Sequence, residues 1–166
     1  ILTDEFKADA VGGAYKTGLE NFILVSMGTG TSIIKWKDGK YTHLGGIGLG
    51  GGTFLGLSKL MLGTDNVEEI IQMSEKGDID KIDLLIKDIS PEPLPGLPFY
   101  ATASSFGKVT DFADKNDVAC GIVNLILQTI GETAVLASRE SGINDFILIG
   151  GLALLPQCKK ILSMLE

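Results

Sequence analysis

Two glycine-rich stretches carry the residue types that bind phosphate groups in proteins. Glycine lets the main chain adopt positive φ angles, and it lets backbone N–H groups approach phosphate oxygens without a Cβ atom between them. The threonine and serine hydroxyls in these stretches add further hydrogen-bond donors. A nucleotide phosphate is therefore the first ligand that the sequence predicts. The stretches contain Gly28, Thr29, Gly30, Thr31 and Ser32, and then Gly50, Gly51, Gly52 and Thr53.

A third glycine turn, Gly150-Gly151, follows the apolar run Phe146–Ile149 and precedes a helix predicted over Pro156–Leu165. Each glycine pair alone is weak support for a ligand site. Three glycine turns in one chain, all at the ends of predicted strands, indicate a single nucleotide cleft. The helix predicted over Thr53–Leu62 begins directly after the second stretch, so we expect its free N–H groups and positive dipole end to face the ligand.

Two titratable residues are candidates for a role in chemistry. Glu5 begins a helix predicted to run to about Thr17, and His43 is the sole histidine, near the end of a predicted strand. Considered by themselves, Glu5 is typical of a solvated charge in the first turn of a helix, and His43 is typical of a surface residue. The residue types alone therefore assign neither a function.

Four predicted strands position the glycine turns. Asp38-Gly39 is a strong β-hairpin signal, so the second and third strands are expected to be antiparallel. Gly28–Thr31 is expected to join the first and second strands as another tight hairpin. The fourth strand, Phe146–Ile149, is apolar throughout, which predicts burial on both faces and a parallel neighbour. The first three strands are predicted at Phe22–Ser26, Ser32–Lys37 and Lys40–Gly45.

The middle of the chain predicts two amphipathic helices, Asn66–Glu75 and Ile79–Ile89, punctuated by Gly77-Asp78. In the second helix the apolar residues share one face, and the charged residues are interpreted as a solvated face. The proline-rich stretch Ser90–Pro98 cannot be helical. The small residues of Ala101–Gly107 are typical of a lid or a partner-facing loop. The charged residues of the second helix are Asp80, Lys81, Asp83, Lys87 and Asp88.

The longest helix is predicted over Asp117–Ser141, with Gly142 as its stop signal. It is apolar on most sides, and its polar residues Asn124, Gln128 and Glu132 follow one another at a four-residue step. We therefore expect this helix to be buried nearly all round, either beneath the sheet or in a subunit interface.

Length and composition narrow the class of protein. The 166 residues fit one domain, and the net charge of −7 argues against a nucleic-acid partner, which would need a basic face. No uninterrupted apolar run is long enough to predict a membrane span. Cys120 and Cys158 show no metal or redox spacing, which indicates buried free thiols in a reducing cytoplasm. The chain begins with Ile1-Leu2 and has no signal-peptide pattern, so we expect a fragment or a processed chain.

The order of these features resembles the second domain of the actin-like ATPase (ribonuclease H-like) superfamily: strand, Gly-Thr-Gly-Thr-Ser turn, strand, hairpin, strand, glycine-rich stretch, helix. Within that superfamily the chain resembles type II and eukaryotic-type pantothenate kinases, in both motif order and spacing. The stretches that carry the resemblance are Glu5-Phe6, Met27–Ser32, Leu49–Leu57, Lys76-Gly77-Asp78 and Ala103–Gly107.

The resemblance implies an α/β fold, with a mixed sheet of three antiparallel strands and then a parallel strand, flanked by helices. It implies that residues 1–166 form a single C-terminal kinase domain with a helical insertion at about 64–107. The family's N-terminal domain, whose Asp-x-Gly-Gly-Thr loop binds phosphate and places Mg²⁺, is absent from this chain. The final strand and helix expected after Glu166 are absent as well, so we expect the fragment alone to be inactive.

The activity that the resemblance implies is transfer of the ATP γ-phosphate to the primary hydroxyl of pantothenate, the first step towards coenzyme A. In that family a glutamate deprotonates the hydroxyl, and Glu5 matches it, which replaces its interpretation as a solvated charge. Thr29 and Ser32 match hydroxyls that touch phosphate and pantothenate. Thr102 and Ala103 match a loop that contacts pantothenate, partly across a homodimer interface. The nucleotide-binding set is Gly28, Thr29, Gly30, Thr31, Gly50, Gly51, Gly52, Gly150 and Gly151, with ATP and Mg²⁺ as cofactors and no metal ligand in this chain.

One residue departs from the family pattern at a position that contacts substrate and the transferring phosphate. The family carries an arginine seven residues before the three glycines, and this chain has His43 there. Histidine is shorter and mostly neutral at pH 7, so a permanent charge is lost. Either transfer is weaker, or Lys40 substitutes for the arginine, or the natural substrate differs.

Three functions therefore remain to be distinguished. The first, which we expect, is the C-terminal part of a cytoplasmic, homodimeric pantothenate kinase with no nucleic-acid or membrane partner. The second is a kinase of the same superfamily that acts on another small hydroxylated metabolite, as His43 and Lys7 in the substrate half would allow. The third is a non-catalytic nucleotide-binding regulatory or dimerisation lobe, which would bind ATP without hydrolysing it.

Overall fold

The computed structural model describes residues 4–92 and 98–163, and the chain divides into two units. The first unit comprises Ile1–Thr53 and Ile126–Glu166, and the second comprises Phe54–Leu125. The segment predicted as a helical insertion, about 64–107, falls within the second unit.

A four-stranded mixed sheet forms the first unit, in the order β3-β2-β1-β6. β1 is antiparallel to β2, β2 is antiparallel to β3, and β1 is parallel to β6. The predicted α/β fold, with three antiparallel strands and then a parallel strand, is thus confirmed. The strands are β1 at Phe22–Met27, β2 at Thr31–Lys37, β3 at Lys40–Ile47 and β6 at Phe146–Ile149.

Two hairpins fix the register of this sheet, as the sequence predicts. Asp38 and Gly39 both have positive φ, 52° and 71°, as a two-residue type I′ turn requires. The second hairpin pairs Met27 with Thr31 and leaves Gly28–Gly30 as its loop. The first glycine stretch is therefore held at both ends by strand pairing.

Helix α1, Glu5–Thr17, is capped at both ends. Asp4 caps its start, because a side-chain oxygen of Asp4 accepts the N–H groups of Phe6 and Lys7 at 3.1 and 3.3 Å. Gly18, with φ of 72°, ends it in the left-handed conformation that glycine adopts without strain.

Helix α1 packs against one face of the sheet through small side chains. Ala10 is fully buried in a cluster with Phe22, Leu24 and Ile34. A Cβ atom on Gly13 would lie only 3.2 Å from Leu24 Cδ1, so this glycine allows the helix to approach the sheet closely. Trp36 stacks on Phe22 with ring centroids 6.1 Å apart.

The burial predicted for β6 is wrong. Phe146 is 37% exposed, and the other three residues of β6 are only partly buried. β6 lies at one side of the described sheet, with β1 as its neighbour. An apolar run shows that a strand can be buried, but its partners determine whether both faces are covered.

The remaining elements are helices, short strands and two 3-10 helices. The predicted helices over Thr53–Leu62, Asn66–Glu75 and Pro156–Leu165 are present, with ends shifted by a few residues or outside the described part of the chain. The elements are α2 at Gly51–Leu62, α3 at Val67–Lys76, a 3-10 helix at Ile79–Lys81, β4 at Leu84–Leu85, α4 at Ile86–Ile89, β5 at Thr102–Ser104, α5 at Lys115–Arg139, a 3-10 helix at Gly151–Leu154 and α6 at Pro156–Leu162.

The continuous helix predicted over Ile79–Ile89 is wrong, and so is the solvated position of Asp83. The segment forms the 3-10 helix at Ile79–Lys81, then β4 and α4. Asp83 is fully buried, and β4 pairs with β5. Because these contacts bury a carboxylate that an amphipathic helix would leave in water, tertiary packing overrides the local pattern.

The proline-rich stretch predicted over Ser90–Pro98 lies partly outside the described residues, which omit 93–97. The following segment, Ala101–Gly107, was predicted to be a loop. It contains the three-residue strand β5 and a tight turn in which the Gly107 N–H donates to the Ser104 carbonyl at 3.0 Å. This segment is therefore more ordered than its composition predicts.

The burial of α5 is confirmed only in part. Asn124 is 9% exposed, whereas Glu132 and Leu136 are exposed further along the helix.

Gly142, with φ of 66°, donates its N–H to the Ser138 carbonyl and so acts as the predicted stop signal of α5. By length and composition α5 could cross a membrane, but just over half of its most apolar window is buried within the protein, as in a core helix.

Both cysteines are free. Cys158 is buried, and burial raises the pKa of its thiol. Cys120 is only half-buried, so the prediction of buried free thiols is confirmed in full for Cys158 alone.

Candidate active site

Three glycine stretches meet at one edge of the sheet in the first unit. Because β1 and β6 are parallel, with Ser26 beside Ile149, their C-terminal ends lie at the same edge. Gly28 follows β1 there, and Gly150 follows β6. The second stretch reaches the same edge because Ile47, at the end of β3, pairs with Thr31.

Backbone hydrogen bonds join the first two stretches directly. The Gly51 N–H donates to the Gly28 carbonyl at 2.8 Å, and the Gly52 N–H donates to the Thr29 carbonyl at 2.9 Å. These two N–H groups are therefore already used within the protein. The helix predicted from Thr53 begins two residues earlier, and the prediction that its start faces a ligand stays a prediction.

The glycines at this edge are needed because backbone segments pack closely against one another. A Cβ atom on Gly50 would lie 2.6 Å from the Thr29 carbonyl oxygen. Gly150 has φ of 99°, and a Cβ atom there would overlap the Met27 carbonyl group. Gly151, by contrast, has open space around its Cβ position. The glycines thus build a compact backbone platform.

Hydroxyl groups at this edge divide into two kinds. The Thr31 hydroxyl is buried and donates to the Leu49 carbonyl at 2.8 Å, and the Thr53 hydroxyl donates to the Gly48 carbonyl at 2.7 Å. The hydroxyls of Thr29 and Ser32 make no hydrogen bond within residues 4–92 and 98–163. Thr31 therefore joins the two stretches, whereas Thr29 and Ser32 can bind a ligand.

Replacing Thr31 and Thr29 separately with valine should distinguish these two uses of a hydroxyl. Thr31→Val should destabilise the protein by about 0.5–1.5 kcal/mol, because the hydrogen bond from the buried Thr31 hydroxyl to the Leu49 carbonyl is lost. Thr29→Val should leave stability unchanged and weaken ATP binding. Chemical unfolding and nucleotide titration of both variants would check this, and equal loss of stability in the two would contradict it.

Ser26 and Ser32 lie on the same face of the sheet, and α1 packs against that face. The Ser26 hydroxyl donates to Asp9 Oδ2 on α1 at 3.1 Å. Ser32 is the register partner of Ser26, so its side chain points to the same face. Asp9 lies one helical turn after Glu5, and the sequence analysis did not single it out. Its only signal was a carboxylate within a helix of mostly small residues.

The first turn of α1 is fastened to β3 on both sides of Glu5. The Tyr41 hydroxyl donates to Asp4 Oδ2, and this hydrogen bond lowers the pKa of Asp4 and raises the pKa of Tyr41. The rings of Phe6 and His43 stack with centroids 4.4 Å apart and planes 5° apart. Glu5 itself is exposed and forms no ion pair or hydrogen bond in the described residues. Its backbone is thus held in place while its carboxylate is left unbound.

Lys40 lies at the wrong end of β3 to replace an arginine near the glycine turns. It pairs with Lys37 at the hairpin, whereas Ile47 pairs with Thr31 at the glycine edge. At about 3.3 Å per residue, the strand separates Lys40 from Ile47 by roughly 23 Å. His43, between them, is therefore the better candidate for a substrate contact from this strand.

Thr102 and Ala103 lie in the second unit, on β5. The Thr102 hydroxyl donates to Asp83 Oδ2 at 3.1 Å and accepts a hydrogen bond from the Asn124 amide at 3.0 Å. Its donor is therefore already used within the unit. Ala103 is exposed. Sequence reasoning missed Asp83 and Asn124, because each is one of several polar residues at helical spacing.

The described part of the chain contains no evident metal site. Within those residues no group of three or more His, Cys, Asp or Glu side chains could hold a metal ion. A Mg²⁺ ion would have to reach the site with the nucleotide or on residues outside the described ranges. The predicted absence of a metal ligand stays a prediction.

The chain shares its fold with a solved structure of another protein. A solved structure of xylulose kinase from Bifidobacterium adolescentis matches with a TM-score of 0.64 over 93% of this chain and 35% of that protein. The two sequences are 19% identical, so this likeness concerns the fold alone. The predicted fold class is confirmed.

The chain belongs to the Fumble family, whose sequence model matches residues 12–163. A type II pantothenate kinase of Bacillus anthracis is 34% identical over 158 residues, which cover 90% of this chain and 57% of that protein. Pantothenate kinase 1 of Oryza sativa subsp. japonica is 34% identical over 137 residues, covering 78% of this chain and 21% of that protein. The chain thus spans a little over half the length of the bacterial relative.

Proposed function

We propose that the protein containing this chain is a pantothenate kinase, which transfers the ATP γ-phosphate to the primary hydroxyl of pantothenate and forms 4'-phosphopantothenate. The observation that carries this proposal is the fastened first turn of α1. It holds the backbone of Glu5 beside β3 and leaves the exposed carboxylate without a partner among the described residues. The Fumble family membership and the names of the relatives support the same reaction.

Glu5 and the hydroxyl groups at the glycine edge each have a defined use in this reaction. Glu5 would accept the proton of the substrate hydroxyl, since phosphoryl transfer needs an oriented nucleophile and a nearby base. The Thr29 and Ser32 hydroxyls would donate to phosphate or substrate oxygens. The joined glycine stretches would keep these donors in fixed positions, which is the main requirement for electrostatic catalysis. ATP supplies the phosphoryl group, and Mg²⁺ neutralises its charge when bound.

The assembly and environment of the protein are further parts of the proposal. We propose a cytoplasmic homodimer with no nucleic-acid or membrane partner. The net charge of −7 supports the lack of a nucleic-acid partner, because the phosphate backbone would be repelled. The free thiols of Cys120 and Cys158 support a reducing compartment. Leu136, which is 60% exposed on α5, supports a surface that a second copy could cover.

A second candidate function is phosphorylation of another small hydroxylated metabolite. Two observations favour it: His43 stands where the family carries arginine, and Asp9 adds a carboxylate beside Ser26 on the Ser32 face. Pantothenate is itself a carboxylate, so a site with less positive and more negative charge would bind it less well. An acceptor without a negative charge would not suffer this repulsion.

A coupled assay for ADP release by the full-length protein tests these candidates. We expect turnover with pantothenate at saturating ATP and Mg²⁺, and a His43→Arg variant should increase it. Turnover of another hydroxylated metabolite but not of pantothenate would establish the second candidate. ATP binding without turnover of any substrate in the panel would contradict both and favour a regulatory lobe.

A further inference from the structure

The hydroxyl of Tyr41 on β3 forms a hydrogen bond that the proposed reaction does not use directly. It donates to Oδ2 of Asp4, the residue that caps α1. Oδ1 of the same carboxylate accepts the N–H groups of Phe6 and Lys7 at 3.1 and 3.3 Å. One carboxylate therefore joins the sheet to the first turn of the helix, and Glu5 lies between the residues that this carboxylate connects.

The ring of Tyr41 is anchored in the sheet before its hydroxyl reaches the helix. Tyr41 pairs with Trp36 on β2, and both side chains pack against the buried cluster that contains Ala10 of α1. Because the ring is packed against this cluster, the hydroxyl is held at a defined position beside the start of α1. It meets the carboxylate of Asp4 there.

The two contacts on either side of Glu5 restrain the helix in different ways. The stacked rings of Phe6 and His43, with centroids 4.4 Å apart, resist separation, but aromatic pairs accept a range of offsets. A hydrogen bond requires a particular distance and angle between its atoms. Among the described residues, the bond from Tyr41 to Asp4 is the only side-chain hydrogen bond between β3 and the start of α1. It is therefore the contact that fixes the first turn relative to the strand.

The same hydrogen bond favours the ionised form of Asp4. It is the largest of the contacts that lower the pKa of this carboxyl group, ahead of the hydrogen bonds from the Lys7 and Phe6 N–H groups. An ionised oxygen is the stronger acceptor for the N–H groups of the helix, and its charge suits the positive end of the helix dipole. Tyr41 thus strengthens the cap in addition to joining it to the sheet.

Glu5 depends on this restraint because it lies where a helix is least stable. Helix ends fray, and Glu5 is the first residue of α1. Its exposed carboxylate has no partner among the described residues that could hold it. A general base must lie within hydrogen-bond reach of the proton that it takes, so the backbone that carries it has to be restrained by other residues.

We propose that Tyr41, acting through Asp4, is a positioning residue for the carboxylate of Glu5. It fixes the first turn of α1 on β3, so that the base meets the substrate hydroxyl in a reactive geometry. This inference rests on the proposed function, because it takes Glu5 as the base. The Tyr41 hydroxyl is bound to Asp4 and acts through the turn that it holds.

Tyr41→Phe in the full-length protein tests this role, because it removes the hydroxyl and keeps the ring. The kcat for pantothenate should fall roughly 10- to 100-fold, because misplacing a reacting group by about 1 Å can cost 10²-fold. The KM for ATP should stay unchanged, since the glycine turns are not altered. The amides of Phe6 and Lys7 should exchange their hydrogens faster, because their acceptor is less firmly held.

A double-mutant cycle with Glu5→Gln separates positioning from a general structural role. If Tyr41 acts through Glu5, Tyr41→Phe should lower kcat in the wild-type background but not in the Glu5→Gln background, where no base remains to be positioned. Single-turnover experiments would measure these slow rates. A loss of similar size in both backgrounds would show that the tyrosine supports the fold as a whole, and it would overturn the inference.

Tyr15→Phe is the matched control. Tyr15 lies on the same helix, is 92% exposed, and makes no side-chain hydrogen bond among the described residues. Its substitution removes the same hydroxyl group without changing a contact between α1 and the sheet. The kcat and the exchange of the Phe6 amide should therefore equal those of the wild type. If Tyr41→Phe behaves like Tyr15→Phe, the inference is overturned.

Failure of the proposed function would be visible separately. A wild-type protein that phosphorylates no pantothenate contradicts the proposed function before any variant is compared. If that protein phosphorylates another acceptor, the same cycle is measured with that acceptor. Equal exchange of the Phe6 amide in the wild type and Tyr41→Phe would overturn the inference, whichever acceptor the enzyme uses.

Discussion

Glu5→Gln in the full-length protein is expected to lower kcat for pantothenate phosphorylation by about 10²–10⁴-fold, the usual contribution of a general base. Glutamine keeps the length and shape of the side chain but cannot accept the hydroxyl proton. Because the first turn of α1 is fastened by Asp4 and Phe6 rather than by Glu5, the helix and the sheet should remain intact. Binding of ATP and the KM for pantothenate should therefore change little.

The matched control for this variant is Glu20→Gln. Glu20 is an exposed glutamate between α1 and β1, so its substitution makes the same change in net charge away from the Ser32 face. Rates from single-turnover phosphoryl transfer would separate the chemical step from product release. A Glu5→Gln enzyme with kcat near that of Glu20→Gln would exclude Glu5 as the base, and Asp9 would become the next carboxylate to test.

The sheet could be predicted from the sequence because short-range signals determine it. Asp38-Gly39 fits a turn with two positive φ angles, and such a turn fixes the pairing of the two strands on either side. The Gly28–Gly30 loop joins β1 and β2 in the same way, and in that register Ser32 points to the same face as its partner Ser26. The positions of the first three strands therefore followed from residues close together in the chain.

The burial of Asp83 could not be predicted because its hydrogen-bond partners are far along the chain. Thr102 is 19 residues away and Asn124 is 41 residues away. At helical spacing, Asp83 looks like any other charge on the polar face of an amphipathic segment. Burial is a property of the assembled unit, and local periodicity carries no information about it.

The glycine stretches lie at strand ends, as predicted, and the ligand that they bind stays a prediction. A missing Cβ atom can make room for a ligand or for another backbone segment, and the sequence does not say which. At Gly50 the neighbour is the backbone of Thr29 and Gly30. Gly51 and Gly52 use their N–H groups on the same turn. Much of the glycine content therefore serves to bring the turns together.

Gly150→Ala should be the most destabilising of the substitutions considered, by roughly 2–6 kcal/mol, from backbone strain together with overpacking. Gly150 has φ of 99° and ψ of 173°, a region that essentially only glycine occupies. Its Cβ atom would also overlap the Met27 carbonyl, which precedes the first glycine turn. Relieving that overlap would displace the Gly28–Gly30 loop, so ATP binding should be lost together with stability.

Gly151→Ala is the control, because Gly151 has no atom within 4 Å of the position that its Cβ would take. Chemical unfolding followed by tryptophan fluorescence is suitable, since Trp36 packs on Phe22 in the sheet of the first unit. Gly151→Ala should unfold like the wild type and keep its affinity for ATP. If both alanine variants lost ATP binding while remaining equally stable, the glycine pair would contact the nucleotide directly. That result would contradict the explanation that position 150 requires glycine because it packs closely against Met27, just before the Gly28–Gly30 loop.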